Sequence, residues 1–360
     1  MRHNSHLSLL CWRLITVALL VSLSSCREKA PLVVEEEVEE GPFYTNPVIA
    51  HNCPDPSIID NRERDGYFYV YSTRNGTNGT PTVVYLPVYR SKDMINWEAL
   101  GNAFGGLNRP EWVSESSVWA PDINYINGKY VLYYALGCWD TSDRSASGVA
   151  VSDRPEGPFT DLGMLVDMET QGVGNSIDPN FFDDGEHKYL FWGSFGAKSG
   201  IWAIELSSDG LSVKEGATKV QIGSTNMEGT YIYKRGGWYY AFTSKGSCCS
   251  GAESTYHLVV ARSRNVLGPY LGPDGTPLTD YGFSNTILSG TSAFVGPGHN
   301  GEIITDDSGQ DWMIYHAFCA SNNYSGRCLI LDKIFWTNDG WPYFNLTNPS
   351  AFGHGPILKK

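Results

Sequence analysis

Basic residues are scarce in this chain, and helical periodicity is almost absent. The 360 residues include 26 Lys and Arg against 39 Asp and Glu, which gives a formal net charge of −13. Such an acidic chain is poorly suited to bind nucleic acid or an anionic membrane surface, because both are themselves negatively charged. A neutral polymer is the better partner. The 11 Trp and 21 Tyr residues suit the flat faces of sugar rings, although aromatic side chains also fill β cores.

Long apolar runs are also missing. The apolar run at 14–23 is too short to cross a membrane, and it ends in Leu23-Ser24-Ser25-Cys26. This ending resembles the processing box of bacterial lipoproteins. We therefore expect residues 1–25 to be a lipoprotein signal peptide and Cys26 to carry the lipid, with an ordinary signal peptide cut nearby as the alternative. The protein would then be an exported bacterial lipoprotein of the outer membrane, the cell surface or the periplasmic face.

Residues 26–40 predict an acidic flexible tether, because the stretch 33–40 carries five glutamates and is too charged to pack. The folded part then spans 41–360, enough for one large β domain, with no linker to divide it. Its six cysteines match no zinc spacing, and they are Cys53, Cys138, Cys248, Cys249, Cys319 and Cys328. An exported protein permits disulfides, and the turn between Cys319 and Cys328 would allow these two to bridge across a hairpin.

One short pattern occurs five times along the folded part. Each copy opens with an acidic residue or a histidine, and these residues are Asp55, Asp122, Asp178, Glu228 and His299. An aromatic strand follows, then a third apolar strand and a turn rich in Pro and Gly, which makes about four strands per copy. A β-rich repeat of roughly 50–70 residues predicts an all-β fold, a single-domain five-bladed β-propeller.

The opening residues would converge on the propeller axis if each lies on the innermost strand of its blade. Carboxylates gathered without matching basic residues are unfavourable, so such a cluster usually has a chemical use. Hydrolysis of a glycosidic bond needs one protonated and one ionised carboxyl group on opposite sides of the bond. Glu228 has uncharged neighbours, which favours the role of acid, whereas two prolines orient Asp55 for the role of base. Asp178 would orient Glu228 and keep it protonated.

Four motifs resemble glycoside hydrolase family 43, and they are Cys53-Pro54-Asp55-Pro56, Trp119-Ala120-Pro121-Asp122, Ser176-Ile177-Asp178-Pro179 and Glu228-Gly229-Thr230-Tyr231. The segment 244–251, continuing through 254–256, is similar to the α-1,5-L-arabinanases of that family. The resemblance implies an inverting, endo-acting hydrolase of α-1,5-linked L-arabinan in plant polysaccharide breakdown. It assigns Asp55 as general base, Glu228 as general acid and Asp178 as the group that modulates the pKa of Glu228. Because an inverting enzyme leaves room for water, we expect the Asp55 and Glu228 carboxyls roughly 6.5–9.5 Å apart.

The same resemblance implies a cation and a set of sugar contacts. His299 matches a histidine that coordinates a central Ca²⁺ or Na⁺, largely through water, and the alternative is a core histidine with satisfied hydrogen bonds. The residues expected beside the sugar are Trp119, Asn175, Ser176 and Ser194. Trp119 could stack on an arabinose ring or equally belong to the core. Asp122 is expected to fix its strand by accepting backbone hydrogen bonds, and Cys248-Cys249 to shape a loop.

Pro54 departs from the arabinanase pattern, which commonly has His before the catalytic Asp. The alternative within the family is therefore an exo-acting α-L-arabinofuranosidase or β-xylosidase. Fructan hydrolases share the architecture, but their Trp-Met-Asn-Asp-Pro-Asn motif does not occur here. A non-catalytic surface glycan-binding propeller is the alternative of another class, although it has no need of three axial carboxylates. The inserts 74–81 and 102–116 are candidates for walls that decide between endo and exo action.

Overall fold

The computed structural model describes residues 40–76, 83–139 and 142–359. The expected signal peptide, nearly all of the expected tether and the end of the insert 74–81 lie outside the described residues. Within the described ranges, no helix is long and apolar enough to cross a membrane.

In the described part of the chain, five antiparallel sheets each follow chain order from an innermost strand outward. A short strand, β1 (Phe43–Thr45), precedes them. The first sheet contains β2 (Ser57–Asp60), β3 (Phe68–Tyr71), β6 (Pro87–Ser91) and β7 (Glu98–Asn102). Between β3 and β6 the chain forms a separate hairpin of β4 (Asn75–Gly76) and β5 (Val83–Val84). The second contains β8 (Ser117–Ile126), β9 (Lys129–Gly137), β10 (Ala146–Ser152) and β11 (Thr160–Val166). The third contains β12 (Asn180–Asp183), β13 (Lys188–Trp192), β14 (Ile201–Leu206) and β15 (Val220–Gly223). The fourth contains β16 (Met227–Arg235), β17 (Trp238–Lys245), β18 (His257–Ser263) and β19 (Thr286–Leu288). The fifth contains β20 (Phe294–Gly298), β21 (Ile303–Thr305), β22 (Asp311–Cys319), β23 (Arg327–Trp336) and β24 (Pro342–Tyr343).

Helices are short and lie in the connections between strands. They are α1 (Arg62–Asp65), α2 (Met168–Gln171) and the 3₁₀ turns Ser142–Arg144, Gly251–Glu253, Ala320–Asn322 and Asn345–Thr347. Asp167 caps the N-terminus of α2, and its side chain accepts a hydrogen bond from the Thr170 backbone in a capping box. The structure is therefore nearly all β, as predicted.

Hydrophobic clusters lie between neighbouring sheets all the way around the ring. One cluster joins the fifth sheet to the first through Trp312, Leu331 and Phe68, and the other four lie between consecutive sheets among the described residues. The predicted aromatic strands are the second strands of the sheets, and β22 is buried along all nine residues. Both of its faces are covered because each sheet packs between two others. This cyclic arrangement confirms the five-bladed β-propeller.

The two ends of the folded chain close the ring. Strand β1 pairs antiparallel with β25 (Phe352–His354), so that Tyr44 lies opposite Gly353. The backbone N–H groups of Val48 and Ile49 donate to the carbonyl of Leu329 in β23. The segment before the first blade is thereby hydrogen-bonded to the last blade, which protects a strand edge that would otherwise be open.

A ring of hydrogen bonds joins the blades at the axis. In each blade a side chain accepts from a backbone N–H of the next blade, and the pairs are Ser57 with Ile123 (3.0 Å), Asp122 with Phe181 (3.0 Å), Asn180 with Ile232 (3.0 Å), Tyr231 with Ile303 (3.1 Å) and Glu302 with Ile58. Asp122 also accepts from the Asn180 amide at 2.8 Å. The structural role predicted for Asp122 is therefore confirmed.

One residue of each blade adopts a left-handed backbone just before this ring of hydrogen bonds. These residues are Asp55, Ala120, Asp178, Gly229 and His299, with φ of 51°, 40°, 56°, 59° and 45°. The equivalent of Asp55 in the second blade is thus Ala120, whereas Asp122 lies two residues further along the strand. This corrects the expectation that the five opening residues are equivalent. Asp122 is too far along its strand to reach the pocket that contains Asp55.

All six cysteines in the described ranges are free thiols. Cys319 and Cys328 lie buried on the adjacent strands β22 and β23, but the bridge that their spacing allows is not formed in this structure. Cys248 and Cys249 follow β17 and line the pocket described below.

Candidate active site

A pocket of about 210 Å³ opens where the innermost strands meet. It is lined by seven of the eight residues predicted for the site: Asp55, Trp119, Asn175, Asp178, Ser194, Glu228 and His299. Ser176 is the exception. It is fully buried, and its hydroxyl donates to the Val173 carbonyl (2.7 Å) and accepts from Trp192 Nε1 (3.3 Å). Ser176 therefore supports the pocket from behind.

Asp55 is surrounded by basic and hydroxyl groups. Arg327 Nη1 lies 2.9 Å from Asp55 Oδ1, and His299 Nδ1 lies 3.3 Å from the same oxygen. Thr73 Oγ1 donates to Oδ2 at 2.6 Å. Burial alone would raise the pKa of Asp55, but Arg327 and His299 outweigh it and hold that pKa well below its usual value. Asp55 is therefore ionised at neutral pH, as a general base has to be.

Two histidines next to Asp55 differ in protonation. His316 is fully buried, and its Nδ1 accepts a hydrogen bond from the Asp55 backbone N–H (3.1 Å). Burial and the nearby Arg327 lower the pKa of His316 to about 4, so it is neutral. Burial would also lower the pKa of His299, but Asp55 and Asp178 raise it to about 9. These two carboxyl groups thus favour the charged form of His299.

Glu228 and Asp178 are neighbouring buried carboxyl groups. Ser194 Oγ donates to Glu228 Oε2 (2.8 Å), and the Tyr256 hydroxyl donates to Oε1 (2.9 Å). The Gly229 N–H donates to Asp178 Oδ2 (3.0 Å). Burial is the main cause that raises the pKa of Glu228. Burial also raises the pKa of Asp178, an effect that His299 opposes and the charge of Glu228 reinforces.

The hydrogen-bond donors around these two carboxyl groups differ in kind. A backbone N–H can only donate, so the Asp178 oxygen that it reaches must accept. The hydroxyls of Ser194 and Tyr256 can donate or accept, and they tolerate a protonated Glu228. Two neighbouring buried carboxylates do not both ionise at low cost. One of the two carboxyls is therefore protonated, and the hydroxyl partners of Glu228 allow it to carry that proton.

Two glycines make room for side chains at the pocket. A Cβ on Gly229, whose φ is 59°, would lie 2.8 Å from the ring of His299. A Cβ on Gly137 would overlap the indole of Trp119 at 1.7 Å. The space at Gly137 lets Trp119 pack against Trp139, with ring centroids 4.8 Å apart and planes tilted by 58°. These two tryptophans form one aromatic wall of the pocket.

Four residues around the carboxylates were not found from the sequence: Thr73, Tyr256, His316 and Arg327. Tyr256 belongs to the segment that resembles arabinanases, and His316 interrupts an aromatic strand, so each carried a local signal. Nothing local marks Arg327, which lies 272 residues from Asp55 in the chain. It supplies the basic partner that the axial carboxylates were expected to lack.

A smaller cavity of about 20 Å³ lies on the axis and is lined by Asp122, Asp178, His299, Asn300 and Glu302 among others. Asn300 Oδ1 is buried and has no hydrogen-bond partner. Burial raises the pKa of Glu302, and the charge of Asp122 adds to this. In the described ranges, no group of three or more His, Cys, Asp and Glu is placed to hold a metal ion. The cavity has room for about one water molecule or one ion, and Asn300 Oδ1 is the unpaired oxygen that faces this part of the axis.

A carboxylate of lowered pKa and a buried carboxyl group of raised pKa line one pocket of a five-bladed propeller, and hydrolysis of a glycosidic bond requires such a pair, so the site is that of a glycoside hydrolase. The family described as Glycosyl hydrolases family 43 matches residues 44–342. The chain belongs to this family.

Relatives and solved structures agree with this assignment. A protein of Cellvibrio japonicus named extracellular exo-α-(1→5)-L-arabinofuranosidase is 33% identical over 308 residues, or 78% of this chain and 83% of the relative. The extracellular endo-α-(1→5)-L-arabinanase 1 of Bacillus subtilis is 32% identical and covers 72% of this chain and 80% of its own. The structure of Cellvibrio cellulosa α-L-arabinanase complexed with arabinohexaose superposes with a TM-score of 0.71 at 28% identity, covering 82% of this chain and 96% of the other.

Proposed function

We propose that this protein hydrolyses α-1,5-linked L-arabinan with inversion and in endo fashion. The observation that carries this function is the opposite direction of the pKa shifts of Asp55 and Glu228 in one pocket, because inversion needs an ionised base and a protonated acid at the same time. The names of the relatives, which specify α-1,5-linked arabinose chains, support the same substrate here.

In the proposed reaction Asp55 takes a proton from a water molecule whose oxygen attacks the anomeric carbon. Glu228 gives its proton to the glycosidic oxygen as the carbon–oxygen bond breaks. The electrons of that bond stay with the oxygen, so the leaving sugar departs as a neutral alcohol. The new bond forms on the opposite face of the ring, which inverts the configuration. Asp55 ends protonated and Glu228 ionised, and proton exchange with solvent restores both.

The surrounding side chains position these two groups. Arg327 and Thr73 hold the Asp55 carboxylate, and the negative charge of Asp178 favours the protonated form of Glu228. Trp119 and Asn175 bind the substrate, and the exposed Trp139 beside Trp119 extends the same aromatic surface. The hydroxyl of Ser194 donates a hydrogen bond to Glu228 at 2.8 Å, so the main role of Ser194 is to orient the acid.

A Ca²⁺ or Na⁺ ion is proposed at the axis, in the small cavity beside His299. Asn300 Oδ1 and the carboxyl groups of Asp178 and Glu302 offer the oxygen atoms that such hard cations prefer. When bound, the ion would supply positive charge near the sugar-binding pocket. His299 and Asp178 hold its surroundings in place.

Export to the cell surface is proposed from the signal segment and from the relatives that are named extracellular. The finer proposal is a lipoprotein anchored through an acylated Cys26, with the acidic tether as spacer. Mass spectrometry of the mature N-terminus would test it, because acylation adds hydrocarbon chains to Cys26 and Cys26→Ala would abolish them. An N-terminus elsewhere, without lipid, would contradict it.

An exo-acting α-L-arabinofuranosidase is the second candidate, because the Cellvibrio japonicus relative carries that name and Pro54 departs from the endo pattern. A β-xylosidase activity is the remaining alternative within the family. A surface protein that only binds glycans is the alternative outside it.

Product analysis distinguishes these functions. The mature protein is incubated with debranched linear arabinan, arabinoxylan and p-nitrophenyl glycosides, next to a Glu228→Gln variant. Oligosaccharides of mixed length from arabinan would establish endo action, arabinose alone exo action, and xylose a xylosidase. If neither protein releases product although both bind arabinan equally, the chain is a binding protein and the proposed hydrolysis is wrong.

A further inference from the structure

A second, larger groove continues from the axial pocket over the third and fourth blades. Its volume is about 840 Å³. Trp139, Phe195, Cys248 and Cys249 line both the pocket and the groove. A linear polymer that leaves the pocket on this side therefore passes between the two aromatic rings and the two thiols, and then enters the groove.

Exposed aromatic rings follow this path. Trp139 is 79% exposed, Phe195 38% and Tyr281 70%. The indole of Trp139 packs against the indole of Trp119, which lies inside the pocket, so the aromatic surface extends from the pocket into the groove. An exposed aromatic face contributes little to folding, because it stays in contact with water. Several such faces along one groove are typical of a surface that binds a ligand with flat apolar faces.

The backbone holds Tyr281 in place although its side chain is free. Asn226 Nδ2 donates to the Tyr281 carbonyl at 2.9 Å, and Lys245 Nζ donates to the same carbonyl at 3.2 Å and to the Phe283 carbonyl at 2.6 Å. On either side of the turn, Leu278 and Phe283 are buried in the core. The ring is thus presented from a fixed turn, which lowers the entropy cost of binding.

The groove has little free charge. None of the residues that line it in the described part of the chain is acidic. The ammonium group of Lys245 donates hydrogen bonds to backbone carbonyls, and His257 Nδ1 lies within hydrogen-bond distance of the Thr255 carbonyl. An anionic polymer would lack an unengaged cation here, and a cationic one would lack a carboxylate. The occupant that fits is a neutral sugar chain.

We propose that Tyr281 is a distal subsite, on which a sugar ring of the same arabinan chain stacks while cleavage takes place at the axis. This role rests on the proposed function and extends it. Tyr281 contacts substrate far from the reacting bond, so it raises the affinity for long chains and leaves the chemical step unchanged. It sets the preference of the enzyme for polymer over short oligosaccharides.

The test compares a long and a short substrate. In Tyr281→Ala, the KM for linear arabinan should rise about five- to tenfold, because a stacked aromatic ring is worth roughly this factor, with kcat changed less than about twofold. Values for arabinotriose, in which two of the three sugars flank the cleaved bond in the axial pocket, should stay within about twofold. Tyr281→Phe should restore the KM. Tyr343→Ala is the matched control, because Tyr343 is also exposed (42%) but lies in β24 outside the groove.

Two results would overturn the subsite: an unchanged KM for arabinan in Tyr281→Ala, or an equal loss on arabinan and arabinotriose, which would indicate a structural role. A wild-type protein that leaves arabinan intact would instead refute the proposed function. In that case, retardation in arabinan-containing gels decides. Retardation that is weakened by Tyr281→Ala supports the subsite, and no retardation of either protein overturns it.

Discussion

Replacing Arg327 with methionine should move the acid limb of the pH–activity profile to higher pH. The guanidinium lies 2.9 Å from Asp55 Oδ1, and the two side chains are 15% and 12% exposed, so water screens the pair weakly. Arg327→Met removes the charge and keeps much of the volume. Because a positive neighbour stabilises the ionised carboxylate, its loss raises the pKa of Asp55 and protonates the base at a pH where the wild-type base is still ionised.

The size of this shift follows from the geometry. At an effective dielectric constant of about 20, two unit charges ~4 Å apart interact by about 4 kcal/mol, which corresponds to about 3 pKa units. His299 remains next to Asp55 and water enters the vacated space, so we expect a shift of about 1–3 units. The pKa of Asp55 starts well below 3.8. The acid limb of the variant should therefore lie about 1–3 pH units above that of the wild type, while activity at higher pH is retained.

The assay is kcat/KM on arabinan from about pH 3 to 8, which reports the pKa values of the free enzyme. Arg327→Lys is the control, because it keeps the charge and should leave most of the limb in place. Thermal unfolding at each pH separates lost activity from lost fold. An acid limb at the wild-type position in Arg327→Met would refute this account of Asp55. An equal loss at every pH would mean that Arg327 positions a group instead of tuning a pKa.

Three further outcomes are expected. Asp178→Asn should move the alkaline limb to lower pH by about one unit, because a negative neighbour no longer favours the protonated form of Glu228; an unchanged alkaline limb would remove Asp178 from this role. Asp122→Ala leaves the buried Phe181 N–H and the Asn180 amide unpaired, at about 1–3 kcal/mol each. Its urea midpoint should fall well below that of the control Asp153→Ala, at an exposed aspartate, and equal midpoints would contradict the hydrogen-bond ring. Proton NMR of fresh product should show the β-anomer first, because the base acts through water, whereas an initial α-anomer would indicate retention.

The fold and the three carboxyl groups of the pocket could be predicted from the sequence because their causes are local. Each blade is a unit of about four strands, and its aromatic strand, turns and opening motif lie close together in the chain. The repeat can therefore be recognised in the sequence without knowledge of the contacts between blades. Asp55, Asp178 and Glu228 were predicted for the same reason. Each belongs to a short motif at the start of an innermost strand, and the five-fold arrangement brings those starts together.

Contacts between distant segments decided the rest. Arg327 reaches Asp55 only because the fifth blade closes against the first. In the sequence, Asp122 resembles the other opening residues. In the structure it lies two residues beyond the left-handed Ala120, and it therefore belongs to the ring of hydrogen bonds. Burial of Ser176 is likewise a matter of packing. Protonation of Asp55, Glu228 and His299 depends on burial and on neighbours from other blades, and these quantities exist only once the ring is closed.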